Sequence, residues 1–196
     1  MEGWDIVGDC DTRIYRREQI GVGEDKLEFS YERYGGFISS FKKTLRKNGN
    51  YLLDNSINEL NIVNIVDRLD TDDVITFWKE VYRVCRNAAV VRLTGAYWTS
   101  VDVQSDITRR RGLSERMIAY LSAPGRVSLK TDDLEDSVGV LPYEGIDFEP
   151  QMITYLSDPE WETRSKDAKE WALAHNINVI RRLNAVLTVI KPCRIP

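Results

Sequence analysis

The spacing of apolar positions predicts most of the elements. Asp5-Ile6-Val7-Gly8 is a short apolar piece running into Asp9-Cys10-Asp11-Thr12, which reads as a strand near residues 4–8 delivering a polar turn. Gln19 to Asp25 repeats the theme, a short strand followed by acids. Phe37, Ile38, Phe41 and Leu45 recur at helical spacing beside Lys42, Lys43, Arg46 and Lys47, and Asn48-Gly49-Asn50 stops such a helix. Ile57, Leu60, Ile62, Val63, Ile65 and Val66 fit a buried strand entering a short helix. Thr71-Asp72-Asp73 then supplies an N-cap with acids in the first turn. Val74, Phe77, Trp78, Val81, Tyr82 and Cys85 follow at the spacing of an amphipathic helix that ends at Arg86-Asn87. Ala88 to Leu93 is a strand, and Thr94 to Trp98 its exit loop.

Beyond this point Ser114 caps a helix carrying Met117, Ile118 and Leu121, and residues 131–145 are polar with turns. Asp147 to Leu156 alternates in strand fashion, Asp158-Pro159-Glu160 opens a charged helix through about Asn178, and Ala185 to Ile190 is a closing strand stopped by Pro192. Two strands joined by a covering helix make an α/β crossover, the connection a parallel sheet needs. The expected fold is therefore α/β, a Rossmann-like three-layer sandwich in a single domain over residues 1–196. Its mostly parallel sheet has strands near 4–8, 57–63 and 88–94, with an antiparallel C-terminal hairpin near 147–156 and 184–191.

Composition, charge and residue counts narrow the picture further. At 196 residues, 42% hydrophobic and 30% charged, the chain is one domain's worth and too apolar to be disordered. No apolar run approaches the roughly 20 residues of a membrane span, and no basic stretch precedes an apolar one at the N-terminus, so the expectation is a cytoplasmic protein. Lys plus Arg number 27 against 31 Asp plus Glu, which argues against a nucleic-acid partner. Cys10, Cys85 and Cys193 sit at no ligand spacing and read as free thiols. With His175 as the lone histidine, a zinc site of the usual kind lacks ligands, so no metal is expected.

An ordered series of segments resembles the class I S-adenosylmethionine-dependent methyltransferases. Leu53 to Leu60 is similar to the segment leading into the family's fourth strand, Phe77 to Val84 to the following helix, and Val90 to Leu93 with Tyr97-Trp98 to the fifth strand and its exit. Asp106 to Glu115 and Phe148 to Pro192 resemble the later segments of a subgroup found near glycan and sugar-modification genes. The resemblance implies S-adenosylmethionine as cofactor, a small-molecule or glycan-like acceptor, and in-line methyl transfer, for which positioning does much of the work. It implies cofactor contacts at Gly8, Asp9, Asp11, Glu24, Asp25 and Asn61, and acceptor contacts at Tyr97, Trp98 and Arg109; no catalytic residue is assigned.

The departures from the family pattern are several. In one register the first motif keeps one glycine, Gly8, and Asp9 and Asp11 put negative charge where the cofactor's carboxylate approaches; two rival registers place Asp5 to Asp9 on the second or third strand, with the first motif missing. Val66-Asp67-Arg68 stands at the fourth strand's exit, Asn87-Ala88-Ala89 replaces a Pro-Gly-Gly turn, and Ile107 and Arg109 replace a proline and a histidine. A methyltransferase-fold binding or assembly module without cofactor therefore stands as the alternative, as does a homo-oligomer or partner that completes the site. Each candidate also has a plainer reading: Asp9 and Asp11 as a polar turn, Tyr97 and Trp98 as packing aromatics, Arg109-Arg110-Arg111 as a solvated run, and His175 as a hydrogen-bonded structural residue.

Overall fold

A computed structural model describes residues 14–15, 26–31, 46–47, 50–51, 53–132 and 141–195. The expected strand near 4–8, together with Gly8, Asp9, Asp11, Glu24 and Asp25, lies outside these residues. Eight strands are described: β1 (Ile14–Tyr15), β2 (Lys26–Tyr31), β3 (Arg46–Lys47), β4 (Asn50–Tyr51), β5 (Ile57–Val63), β6 (Cys85–Ala96), β7 (Phe148–Ser157) and β8 (Ile180–Val189). Six of them form one sheet in the order β1-β2-β5-β6-β8-β7, and β3 and β4 pair separately. β2, β5 and β6 run parallel, while β8 lies antiparallel between β6 and β7. The architecture is α/β and Rossmann-like, with an antiparallel C-terminal hairpin.

The register sorts each strand's residues onto two faces. Leu60, Val91 and Leu187 align in one row and Ile62, Leu93 and Ala185 in the next, all at 0–1% exposure. α1 (Thr71–Val84) lays Val74, Phe77, Trp78 and Val81 on this face. Trp78 stands edge-on to Phe77 and Phe148, with ring centroids 5.6 and 5.4 Å apart. Burying such side chains contributes about 1.5–3 kcal/mol each relative to exposure, so this layer holds the sheet flat against the helix. The opposite face carries Asn61, Arg92 and Val186 in one row and Val63, Thr94 and Asn184 in the next. There Arg92 forms an ion pair with Glu59 across two strands.

Several boundaries differ from the expectations. The cap of α1 is Asp70, one residue earlier than Thr71, and its side chain makes no capping bond. α1 stops at Val84 and β6 starts at once at Cys85, so no separate turn intervenes at Arg86-Asn87. The slack is absorbed inside β6, where Ala88 adopts φ +63° and the pairing with β5 slips between Ile57 and Glu59. Arg46 and Lys47, read as flanking a helix, belong to β3, since Asn50-Tyr51 returns to pair with them. β2 was not foreseen as a strand. The charged helix opened by Asp158 is two helices, α5 (Pro159–Glu162) and α6 (Lys166–His175), because Ser165 caps a new start by accepting from the Ala168 N–H. β8 begins at Ile180, five residues before the expected Ala185. Between them, Ser114 caps α3 (Glu115–Leu121) as its position suggested, followed by α4 (Ala123–Asp132), and a short helix α2 (Val101–Ser105) precedes both.

Candidate functional site

In open parallel sheets, ligands sit outside the carboxyl ends of the strands. Here that edge is built by Asn64-Ile65 after β5, Tyr97-Trp98 after β6, the Asp106–Leu113 loop, and the helical excursion between β7 and β8. Asn64 takes φ +54°, donates its N–H to the Thr94 carbonyl at 2.9 Å, and holds a buried Oδ1 without a hydrogen-bond partner. The Ser100 hydroxyl is likewise buried and unpartnered.

The exit of β5 is closed by an ion cluster. Asp67, 1% exposed, faces the Arg109 guanidinium across a salt bridge. Arg68 pairs with Asp106 at 3.0 Å and reaches Thr108, and Arg109 Nε lies 3.5 Å from the same Asp106 carboxylate. The Asp67 carbonyl accepts the N–H groups of Arg110 and Arg111 at 2.7 and 3.2 Å. Hydrogen bonds from Thr108, opposed by burial and helped by Arg68, hold the Asp106 carboxyl below its ordinary range. Arg110 pairs with Asp70 at 3.1 Å, and Arg111 donates to the Leu69 carbonyl and the Thr71 hydroxyl. Arg109 and Arg111 thus strap the Asp106–Arg111 loop onto the sheet edge, while Arg110 stays exposed beside Asp70.

From there the chain runs parallel beside the exit of β6, bridging Leu113 to Tyr97. Leu113 N–H donates to the Ala96 carbonyl at 2.8 Å, and Trp98 N–H to the Leu113 carbonyl at 3.0 Å. Gly112 is required by this approach, because a Cβ there meets the Trp98 Cα at 2.2 Å.

Tyr97 and Trp98 stand at the open part of the edge. Tyr97 is half-buried against the core and Trp98 is 54% exposed. Tyr97 donates to Glu115 at 3.2 Å, and Tyr155 donates to the same carboxylate at 2.5 Å. The Tyr97 ring lies 6.1 Å from Trp98 and 5.9 Å, nearly perpendicular, from Tyr155. Burial, reinforced by the Glu115 charge, pushes both phenols above the usual tyrosine range, so both stay neutral. Glu115 and Tyr155 were missed in the sequence; the alternation of β7 placed Tyr155 on a strand but could not say what it faced.

Asn61 lies two residues inside the end of β5, half-buried in the row with Arg92. His175 is exposed, stacked on Trp171 with centroids 4.6 Å apart, and its Nδ1 is 2.7 Å from the Trp171 carbonyl. Cys85 is buried and Cys193 half-buried, both as free thiols. Among the described residues no cluster of three or more His, Cys, Asp or Glu is arranged to hold a metal, and no helix is long and apolar enough to cross a membrane.

No family model and no curated protein sequence matches this chain. Among solved structures it is similar to a methyltransferase from Archaeoglobus fulgidus, at 12% identity and TM-score 0.43 over 70% of this chain and 61% of that one. A Methanosarcina mazei methyltransferase shows 12% identity and TM-score 0.41 over 71% and 62%. Both are described as S-adenosylmethionine-dependent. A putative methyltransferase from Haloferax volcanii, seen in complex with a methyltransferase activator, shows 10% and 0.41 over 71% and 56%. The chain spans about three fifths of the length of these structures.

Proposed function

We propose that this chain is a class I S-adenosylmethionine-dependent methyltransferase of the cytoplasm, acting on a small-molecule or glycan-like acceptor. The observation that supports this most is the sheet itself. Parallel β2, β5 and β6 are followed by β8 inserted antiparallel between β6 and β7, in keeping with the mostly parallel sheet and antiparallel C-terminal hairpin that the resemblance over residues 53–192 implies. The residues fit the cofactor at one described point: the orphaned Asn64 Oδ1 at the exit of β5 offers an acceptor to an amino or hydroxyl group of a nucleoside. Gly8, Asp9, Asp11, Glu24, Asp25 and Asn61 are the other proposed contacts. The cofactor, when bound, supplies a methyl group on a sulfonium; the protein's work is then to hold an acceptor in line, against Tyr97 and Trp98.

One observation favours a second reading, that of a binding module without cofactor. The family resemblance puts the residues after the fourth strand against the methyl group, whereas Asp67 is buried and held by Arg109. Calorimetry and thermal shift with S-adenosylhomocysteine separate the two. At a hundred times its dissociation constant the ligand stabilises by about 2.7 kcal/mol, and Asn64→Leu weakens its binding. Absence of any shift at millimolar ligand overturns the methyltransferase reading and leaves the module.

A further inference from the structure

The open part of the carboxyl edge combines a carboxylate with aromatic surface. Glu115 receives two hydrogen bonds, from Tyr97 and Tyr155. Both donors are neutral phenols, so they satisfy the oxygens without cancelling the charge. Among the described residues no lysine or arginine forms a salt bridge with Glu115; Arg109 is held by Asp67 and Asp106 and Arg181 by Asp102 at 3.3 Å, while Arg116 adjoins Glu115 in the chain and Arg182 pairs with Ala96 and Leu156 in the sheet. Trp98 and Tyr155, 54% and 45% exposed, both neighbour Tyr97, with their rings tilted and perpendicular to it. Aromatic faces at an angle beside an uncancelled negative charge favour a cation with an apolar skin, which prefers a ring face to bulk water. An anion meets the opposite, since the charge of Glu115 repels it.

We infer that the Tyr97–Trp98–Tyr155–Glu115 corner binds an alkylated ammonium group, so that the ligand of this edge is a cationic amine rather than a phosphate or an acidic sugar. Calling that ligand the methyl acceptor rests on the methyltransferase reading; the binding does not. Tyr155 serves as both wall and donor, since its raised pKa keeps the phenol protonated and the carboxylate charged.

The test compares two probes of one shape, choline and the uncharged 3,3-dimethylbutan-1-ol, titrated into the full chain by calorimetry and by NMR of the indole N–H signals. Choline binds at least ~5-fold tighter than the alcohol. Glu115→Gln, which keeps size and hydrogen bonding, removes that preference while leaving the alcohol's affinity unchanged, and Trp98→Ala weakens choline. Melting curves confirm that both variants remain folded, and phosphocholine or acetate gains nothing over choline. Equal affinity for the two probes, no choline binding at millimolar concentration, or an undiminished preference in Glu115→Gln overturns the inference. S-adenosylhomocysteine titrated into the same preparation keeps the outcomes distinct. Its binding without choline overturns the ammonium site alone, and choline binding without it overturns the methyltransferase reading alone.

Discussion

Arg109→Ala tests whether the clasp at the exit of β5 holds the site's loop in place. The substitution leaves the Asp67 carboxylate at 1% exposure with its cationic partner gone. Two unit charges about 4 Å apart at an effective dielectric of about 20 attract by about 4 kcal/mol, and stripping one partner from a buried pair typically costs about 3–5 kcal/mol. The same guanidinium also touches Asp106, which ties Arg68 and Thr108 into the cluster. Arg109→Ala is therefore expected to lose about 3–5 kcal/mol in urea denaturation, a fall in Tm of roughly 10 °C for a domain of this size. The double variant Asp67→Leu/Arg109→Met separates charge from packing, because an apolar replacement of a buried pair is often neutral. The double variant is expected to recover most of the lost stability. A loss below about 1 kcal/mol in Arg109→Ala, the range of solvent-screened pairs, or a double variant no better than the single one, refutes the reading of Asp67 and Arg109 as a buried, mutually dependent pair.

Three further outcomes follow from the structure. Gly112→Ala drives a Cβ into the Trp98 backbone; it costs about 1–3 kcal/mol in thermal melts and weakens choline binding, since the loop must lift away from Trp98. Burial raises the Asp147 carboxyl, but hydrogen bonds from Arg194 and from the Ala123 N–H outweigh it and hold the group below its ordinary value of 3.8. Its stabilisation is accordingly present above about pH 4 and is lost as pH falls through the lowered native value; urea denaturation between pH 2 and 6 shows a flatter acid limb in Asp147→Asn. Burial pushes the Cys85 thiol up to about 12, so maleimide labelling mapped by mass spectrometry at pH 8 modifies Cys193 in the native protein and Cys85 only in denaturant.

The core of this fold was legible wherever one face of an element is buried against another. Val74, Phe77, Trp78 and Val81 announce α1, and Ile57 to Val63 announces β5, because burial on a helix or strand leaves its period in the sequence. Ser114, Asp158 and Ser165 are capping residues whose chemistry is local, yet Ser165 was passed over inside a charged stretch that looked continuous. β2 carries the period-two alternation Leu27, Phe29, Tyr31 between Lys26, Glu28 and Ser30, a signal masked by the acids before it. The site was less legible, for a physical reason. Asp67 in Val66-Asp67-Arg68 and Arg109 in a triplet of arginines look like surface charges, and their pairing spans forty-two positions of chain that no local pattern encodes. Tyr97 and Trp98 were visible as strand-exit aromatics, but the carboxylate that gives them a chemical preference comes from the first turn of a separate helix.

The placement of β8 has a consequence for how the molecule is made. During synthesis β5, α1 and β6 emerge early and can dock, but the flank of β6 that receives β8 stays open until about ninety more residues have followed it. β7 emerges before β8, its one sheet neighbour among the described residues, so it waits too. A nascent chain thus carries a raw sheet edge that β8 must reach ahead of any other chain, and shortening the chain within Ile180–Val189 strikes the middle of the sheet rather than its rim.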